Sequence, residues 1–163
     1  MTDMAKGALH GIKVLDLSRV LAGPSCTQVL ADLGAEVIKV ERPHIGDETR
    51  HWAPPIFSDN TSAYYATINR NKKSLTVDIT TAAGQAIIKQ LIASSDIVVE
   101  NFKVGGLKKY GLDYDSLKQD NPRLIYASLT GFGQTGPDAA RPGYDYIIQG
   151  LSGLMSITGP SDG

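Results

Sequence analysis

An α/β fold built on a parallel sheet is predicted by three observations. Short apolar runs rich in β-branched residues alternate with longer segments of helical period, as βαβ units require. Proline and glycine punctuate the boundaries between these segments, and 163 residues suffice for one domain with its own core. Strands are expected at residues 12–17 (Ile-Lys-Val-Leu-Asp-Leu), 36–40, 74–79, 96–100 and 124–129. A helix over 24–33 joins the first two: Pro24 stands where a first turn accepts it, and Gly34 where a helix end wants φ > 0. Residues 81–94 form the helix between the third and fourth strands, with Ala82, Ala86, Ile87, Leu91 and Ile92 as its apolar face. A shorter helix over 113–118 opens on Asp113 and Asp115 and closes at Asn121-Pro122. The last periodic segment, 144–155, contains Gly150 and Gly153, which predicts close packing against another backbone. Two long connections, 43–60 and 131–143, interrupt this regularity, and loops of that length without their own structure tend to be functional or disordered.

Composition narrows the partners. Sixteen basic residues nearly cancel 17 acidic ones, leaving a formal charge of −1, so the excess or stripe of cations expected of a nucleic-acid binder is missing. No apolar run approaches the roughly 20 residues of a membrane span, and Met1 to Gly7 has no hydrophobic signal core. With a single cysteine, Cys26, no intrachain disulfide forms, which suits a reducing, cytoplasmic compartment. Cys26 falls inside the first helix and reads as a buried, inert thiol. His10, His44 and His51 have no serine or cysteine at a meaningful spacing, and no cluster has metal-ligand spacing. The chain ends on Thr158-Gly159-Pro160-Ser161-Asp162-Gly163, which resembles a turn awaiting its next element.

Anion binding is the chemistry most open to these residues. The first strand runs from Asp16 through Arg19-Val20-Leu21-Ala22-Gly23-Pro24 into a helix. Free amides and the helix dipole would face a ligand there, although a tight strand-to-helix turn explains the same residues, and neither G-x-G-x-x-G nor the P-loop pattern is present. Glu41-Arg42 ends the second strand, where an acid can hold a ribose and an arginine a phosphate; surface charge is the alternative. Arg70, Lys72 and Lys73 precede the third strand, either as solvated charge or as a polyphosphate site. Tyr144-Asp145 is either a site pair or a helix cap.

The runs Gly11-Ile-Lys-Val-Leu-Asp-Leu-Ser-Arg-Val-Leu-Ala-Gly-Pro24 and Ala31-Asp-Leu-Gly-Ala-Glu-Val-Ile-Lys-Val-Glu-Arg-Pro43 resemble the opening of the family III coenzyme A transferases. Gly46-Asp-Glu-Thr-Arg50, Asn69-Arg-Asn-Lys-Lys-Ser74, Glu100-Asn-Phe102, Asn121-Pro-Arg-Leu-Ile-Tyr126 and Thr130-Gly-Phe-Gly-Gln-Thr-Gly-Pro137 extend the likeness over essentially the whole chain. The resemblance implies a Rossmann-like, doubly wound, mostly parallel sheet with coenzyme A along its carboxyl edge, residues 1–163 being one such CoA-binding domain. It further implies that Val20, Leu21 and Ala22 line the coenzyme and that Arg42 meets its nucleotide end near Lys72 and Lys73. Val77 would touch adenine, Asn101 and Phe102 would flank pantetheine, and Lys109 would bind phosphate. Trp52, Tyr64, Tyr144 and Asp145 would fall near the acyl pocket. Leu21 replaces the glutamine of some oxalate-handling members, which speaks against oxalate.

Members of the family move CoA from an acyl-CoA to a small carboxylic acid. An aspartate attacks the thioester, giving a mixed anhydride and then an aspartyl-CoA thioester that the acceptor acid attacks in turn, a covalent route needing no metal. On the resemblance that aspartate lies beyond Gly163, by roughly ten residues, followed by a second domain. The whole protein would be an interlocked homodimer. The α-methylacyl-CoA racemases share fold and coenzyme but place a histidine where Gly143-Tyr144-Asp145 has tyrosine, and a side chain with a pKa of about 10 cannot exchange protons as imidazole does. A non-catalytic CoA- or nucleotide-binding module is the other alternative.

Overall fold

The computed structural model describes residues 7–160. Met1 to Lys6 and Ser161 to Gly163, with the Asp162-Gly163 end of the terminal turn, lie outside the described residues. Two compact units divide the chain, Met1–Leu129 and Thr130–Gly163.

The first unit holds a five-stranded sheet: β1 (Lys13–Asp16), β2 (Glu36–Glu41), β3 (Lys72–Thr76), β4 (Ile97–Glu100) and β5 (Ile125–Ser128). Every pairing is parallel, in the order β3-β2-β1-β4-β5, so the expected doubly wound topology is present, with its reversal between β1 and β4. Side-chain alternation divides the core between the two faces. Val14, Val37 and Val99 pack with Ala31 of α1 (Ala22–Asp32). Leu15, Val40 and Val98 pack with Ile88 and Ile92 of α3 (Ala82–Ala93) on the other face. Residues such as Leu15, Ile88 and Val98, at 0–1% exposure, each contribute roughly 1.5–3 kcal/mol by burial. α4 (Tyr114–Leu117) adds Leu117 to this second cluster.

Several boundaries differ from the sequence expectation. β3 starts and ends earlier than residues 74–79, because it is an edge strand whose residues 73–76 are exposed and so tolerates Lys72-Lys73. α2 (Ala63–Asn69) lies in a stretch given no element; its seven residues are too few for a periodic signal, although Ser62 caps it by accepting the Tyr65 N–H at 3.0 Å. The buried stripe of α3 is Gly84, Ile88 and Ile92, while Ala82, Ala86 and Ile87 are exposed. Close approach sets that rotation: a Cβ on Gly84 would stand 1.9 Å from the Asp78 carbonyl oxygen. Cys26, expected to be buried, is exposed on α1.

In the second unit, α5 (Asp145–Leu151) is followed by a 3₁₀ turn, Leu154–Ile157, rather than continuing to residue 155. Gly153 provides the left-handed φ of 80° at the break, and a Cβ added to Gly150 would meet only Met155 Sδ, at 3.9 Å, outside its own helix among the described residues.

Candidate functional site

Parallel strands bring their carboxyl ends to one edge, and there a cavity of about 490 Å³ opens over β1, β2, β4 and the segment leaving β3. Leu17, Val40 and Val77 form its floor and belong to the core cluster beneath. Phe102 and Tyr110 add aromatic wall, and Arg19, Arg42, Lys103 and Lys109 bring four cations to the lining. Arg19 is paired, donating to Glu48 at 2.8 Å with its guanidinium 5.5 Å from the Phe102 ring. Lys109 stands 4.8 Å over the Tyr110 ring. No carboxylate among the described residues forms an ion pair with Arg42, Lys103 or Lys109. A ligand with an apolar body and negative groups fits this combination of floor and rim.

Three acids, Glu41, Asp47 and Asp78, also line the cavity, and each is engaged within the protein. Glu41 accepts from Arg50 Nε and Nη2 at 2.6 and 2.7 Å, from Tyr65 at 2.8 Å, from Ser74 at 2.7 Å and from the Asp47 N–H at 2.9 Å. Burial alone would push its carboxyl up; the hydrogen bonds from Arg50, Ser74, Asp47 and Tyr65 outweigh it and bring the carboxyl down to about 2. Arg50 also lies 3.8 Å over the Tyr65 ring. The ribose-holding role open to Glu41 in the sequence is therefore corrected: both oxygens already serve the fold. Asp78 likewise accepts from the Thr80 N–H at 2.9 Å and hydroxyl at 2.6 Å.

The turn from β1 into α1 is fixed from three sides. Asn101, at the end of β4, accepts the Arg19 N–H at 2.9 Å and donates to the Arg19 carbonyl at 2.7 Å. Asp47 accepts the Val20 N–H at 3.2 Å, and Lys39 donates to the Ser18 carbonyl at 2.8 Å. Val20 itself has φ 69°, a left-handed conformation rare for a β-branched residue.

Arg42, Val77, Phe102 and Lys109 line one cavity. Asn101 lies behind it, holding the Arg19 backbone, and Val20, Leu21 and Ala22 form the adjoining turn, with Leu21 48% exposed. Lys72 requires correction. Its ammonium is buried and directs its three protons to Asp16 at 3.1 Å, the Pro24 carbonyl at 2.7 Å and Asn69 at 3.0 Å, leaving none for a ligand. Lys73 pairs with Glu36 at 2.8 Å in solvent and does not line the cavity. Trp52 and Tyr64 meet edge to face at 5.0 Å in a second, more open hollow with Pro54, Pro55 and Thr67. Tyr144, 70% exposed, and Asp145, which accepts from Gln149 at 2.6 Å, belong to the second unit; Tyr144 rather than Asp145 is the capping residue of α5. Arg19 and Lys103 were missed as lining residues, although each adjoins a residue the motifs do single out, Val20 and Phe102.

Comparison with known proteins gives a consistent result. Residues 9–163 match the model of CoA-transferase family III. A succinate–glutarate CoA-transferase of Agrobacterium fabrum is 56% identical over 100% of this chain and 42% of its own length. The human succinyl-CoA:glutarate CoA-transferase is 54% identical over 95% of this chain and 35% of its own. The crystal structure of a CAIB/BAIF family protein from Brucella suis superposes with a TM-score of 0.93 at 53% identity, over 97% of this chain and 42% of that one. The chain spans well under half the length of these relatives.

Proposed function

The chain belongs to CoA-transferase family III, and from that premise we propose that it is the coenzyme A-binding part of an acyl-CoA:carboxylate CoA-transferase. The cavity on the carboxyl edge of the sheet carries this reading, because its apolar floor and the exposed Arg42, Lys103 and Lys109, which have no carboxylate partner among the described residues, suit a nucleotide whose phosphates need cations and whose adenine needs an apolar bed. Arg42 and Lys109 take the phosphates, Val77 the adenine side, and Phe102 the start of pantetheine. Asn101 holds the turn of Val20, Leu21 and Ala22, along which the rest of the coenzyme runs. Lys72 supports the site from within through Asp16 and the Pro24 carbonyl, and Lys73, paired with Glu36 in solvent, has no part in it.

The relatives named as succinate–glutarate and succinyl-CoA:glutarate transferases favour succinyl-CoA as donor and a short dicarboxylate as acceptor, and Leu21 argues against oxalate. Trp52 and Tyr64, in the first unit, are proposed to meet the acyl group, and Tyr144 and Asp145, in the second, are proposed separately for the same role. In the whole protein, read as an interlocked cytoplasmic homodimer, an aspartate outside these 163 residues attacks the thioester carbonyl and expels the CoA thiolate, leaving an acyl-aspartyl anhydride. The thiolate attacks the aspartyl carbonyl, releasing the donor acid and forming aspartyl-CoA, and the acceptor carboxylate reverses the sequence through a second anhydride to give its own CoA thioester and free aspartate.

Titration calorimetry of the chain with coenzyme A and with NAD tests the coenzyme assignment. CoA is expected to bind more tightly; tighter binding of NAD overturns it.

A further inference from the structure

Val20 presents an outlier that the family motif does not explain. A β-branched residue at φ 69° is costly, and conformations of that kind persist only where the surroundings impose them. One carboxylate supplies the constraint. Asp47, 1% exposed, accepts the Val20 N–H at 3.2 Å from outside its own segment. The same carboxylate is locked by the Thr49 N–H at 3.0 Å and hydroxyl at 2.7 Å, so it cannot swing away to follow a relaxed Val20. Lys39, also 1% exposed, neutralises it at 2.9 Å and reaches the Ser18 carbonyl at 2.8 Å, holding the other end of the same turn. A second contact, Arg19 to Glu48 at 2.8 Å, ties the turn to the same segment. That segment follows Arg42 on the cavity rim, so the turn and the rim are held in one geometry.

We propose that Asp47 is a positioning residue, which, backed by Lys39, holds Val20 in the left-handed conformation and so sets the β1–α1 turn in the shape that accepts coenzyme A. This rests on the coenzyme reading above. Asp47 also lines the cavity, but at 1% exposure its carboxylate is turned to Val20, Thr49 and Lys39, so it acts on affinity through the backbone of Val20.

Glycine adopts φ > 0 without strain, so it replaces the restraint where the restraint has been removed. Asp47→Ala alone would strand the Lys39 ammonium, so it is made together with Lys39→Met. CoA affinity is measured by calorimetry for the unaltered chain, for Val20→Gly, for Lys39→Met/Asp47→Ala, and for the triple variant, with thermal unfolding of each. The paired variant is expected to weaken CoA binding by about tenfold or more, the scale of the strain it releases. Val20→Gly weakens binding in the unaltered chain, where it removes a side chain from the turn, yet strengthens it by about threefold or more in the paired background, where flexibility relieves strain. A purely structural role for Asp47 predicts that Val20→Gly weakens binding or leaves it unchanged in both backgrounds, and that result overturns the proposal while leaving the coenzyme reading intact. Absence of CoA binding by the unaltered chain overturns both. If the paired variant does not fold, Lys39→Met/Asp47→Leu, which fills the vacated volume and removes both the charge and the acceptor, carries the same comparison with and without Val20→Gly.

Discussion

Two sets of charged side chains lie close together at the carboxyl edge of the sheet, and they differ in what they face. Lys39, Asp16, Glu41 and Asp47 are at most 5% exposed, the Lys72 side chain is 2% exposed, and each is matched by partners from other elements. Arg42, Lys103 and Lys109, on the cavity rim, are exposed and have no carboxylate among the described residues. Burial explains the contrast. A charge removed from water costs several kcal/mol unless its partners are complete, so the interior set is internally satisfied and shapes the site. A rim charge keeps its hydration until a ligand replaces it, and so remains available for binding.

Breaking an interior pair is the severest test of this division. Lys72→Met strands the Asp16 carboxylate, whose side chain is 0% exposed, and is expected to cost about 3–5 kcal/mol in urea unfolding. CoA affinity of the folded fraction should stay unchanged; a large affinity loss at full folding would return Lys72 to the ligand. Glu41→Gln costs less, roughly 2–3 kcal/mol, because its main partner Arg50 is a third exposed and screened. Glu41 titrates at about 2 in the fold against an ordinary value of 4.5, so the stability it confers is present above 4.5 and is lost as pH falls toward 2. The variant should therefore flatten the acid limb of the stability profile in that window. Glu100 runs the other way: burial raises its carboxyl against the opposing bonds from Ser128 and the Phe102 N–H, so its contribution falls as pH rises through that raised value.

On the rim, Arg42→Ala is expected to weaken CoA binding by roughly 1.5–3 kcal/mol, read by calorimetry, with the thermal midpoint unmoved. Unchanged affinity would reassign Arg42 to the solvated surface. The smallest effect belongs to Lys73→Ala, which removes a solvent-exposed pair with Glu36 and should change neither midpoint nor affinity measurably.

The difference between Lys72 and Lys73 also shows where sequence reading stops. They are neighbours in one motif, and both look like surface cations ahead of a strand. Only the approach of β3, α1 and α2 decides that Lys72 meets Asp16, 56 residues away, together with Pro24 and Asn69, while Lys73 points into solvent. Lys39 is similar: a lysine within an apolar strand reads as outward-facing, and its burial follows from Asp47 folding back over it and from the Ser18 carbonyl above β1.

By itself the sequence determined what depends on local period and on chemically distinctive runs. Alternating β-branched and helical segments predicted the strands and the helices α1 and α3, because those patterns follow from neighbouring residues. The motifs around Val20, Arg42, Asn101 and Thr130 carried the family across the whole chain. Tertiary structure alone decided which charges are buried and which are available, since that depends on what packs over a side chain from tens of residues away. It also fixed the face of α3, through the close approach of Gly84 to Asp78, and the left-handed turn at Val20, through a carboxylate 27 residues further along.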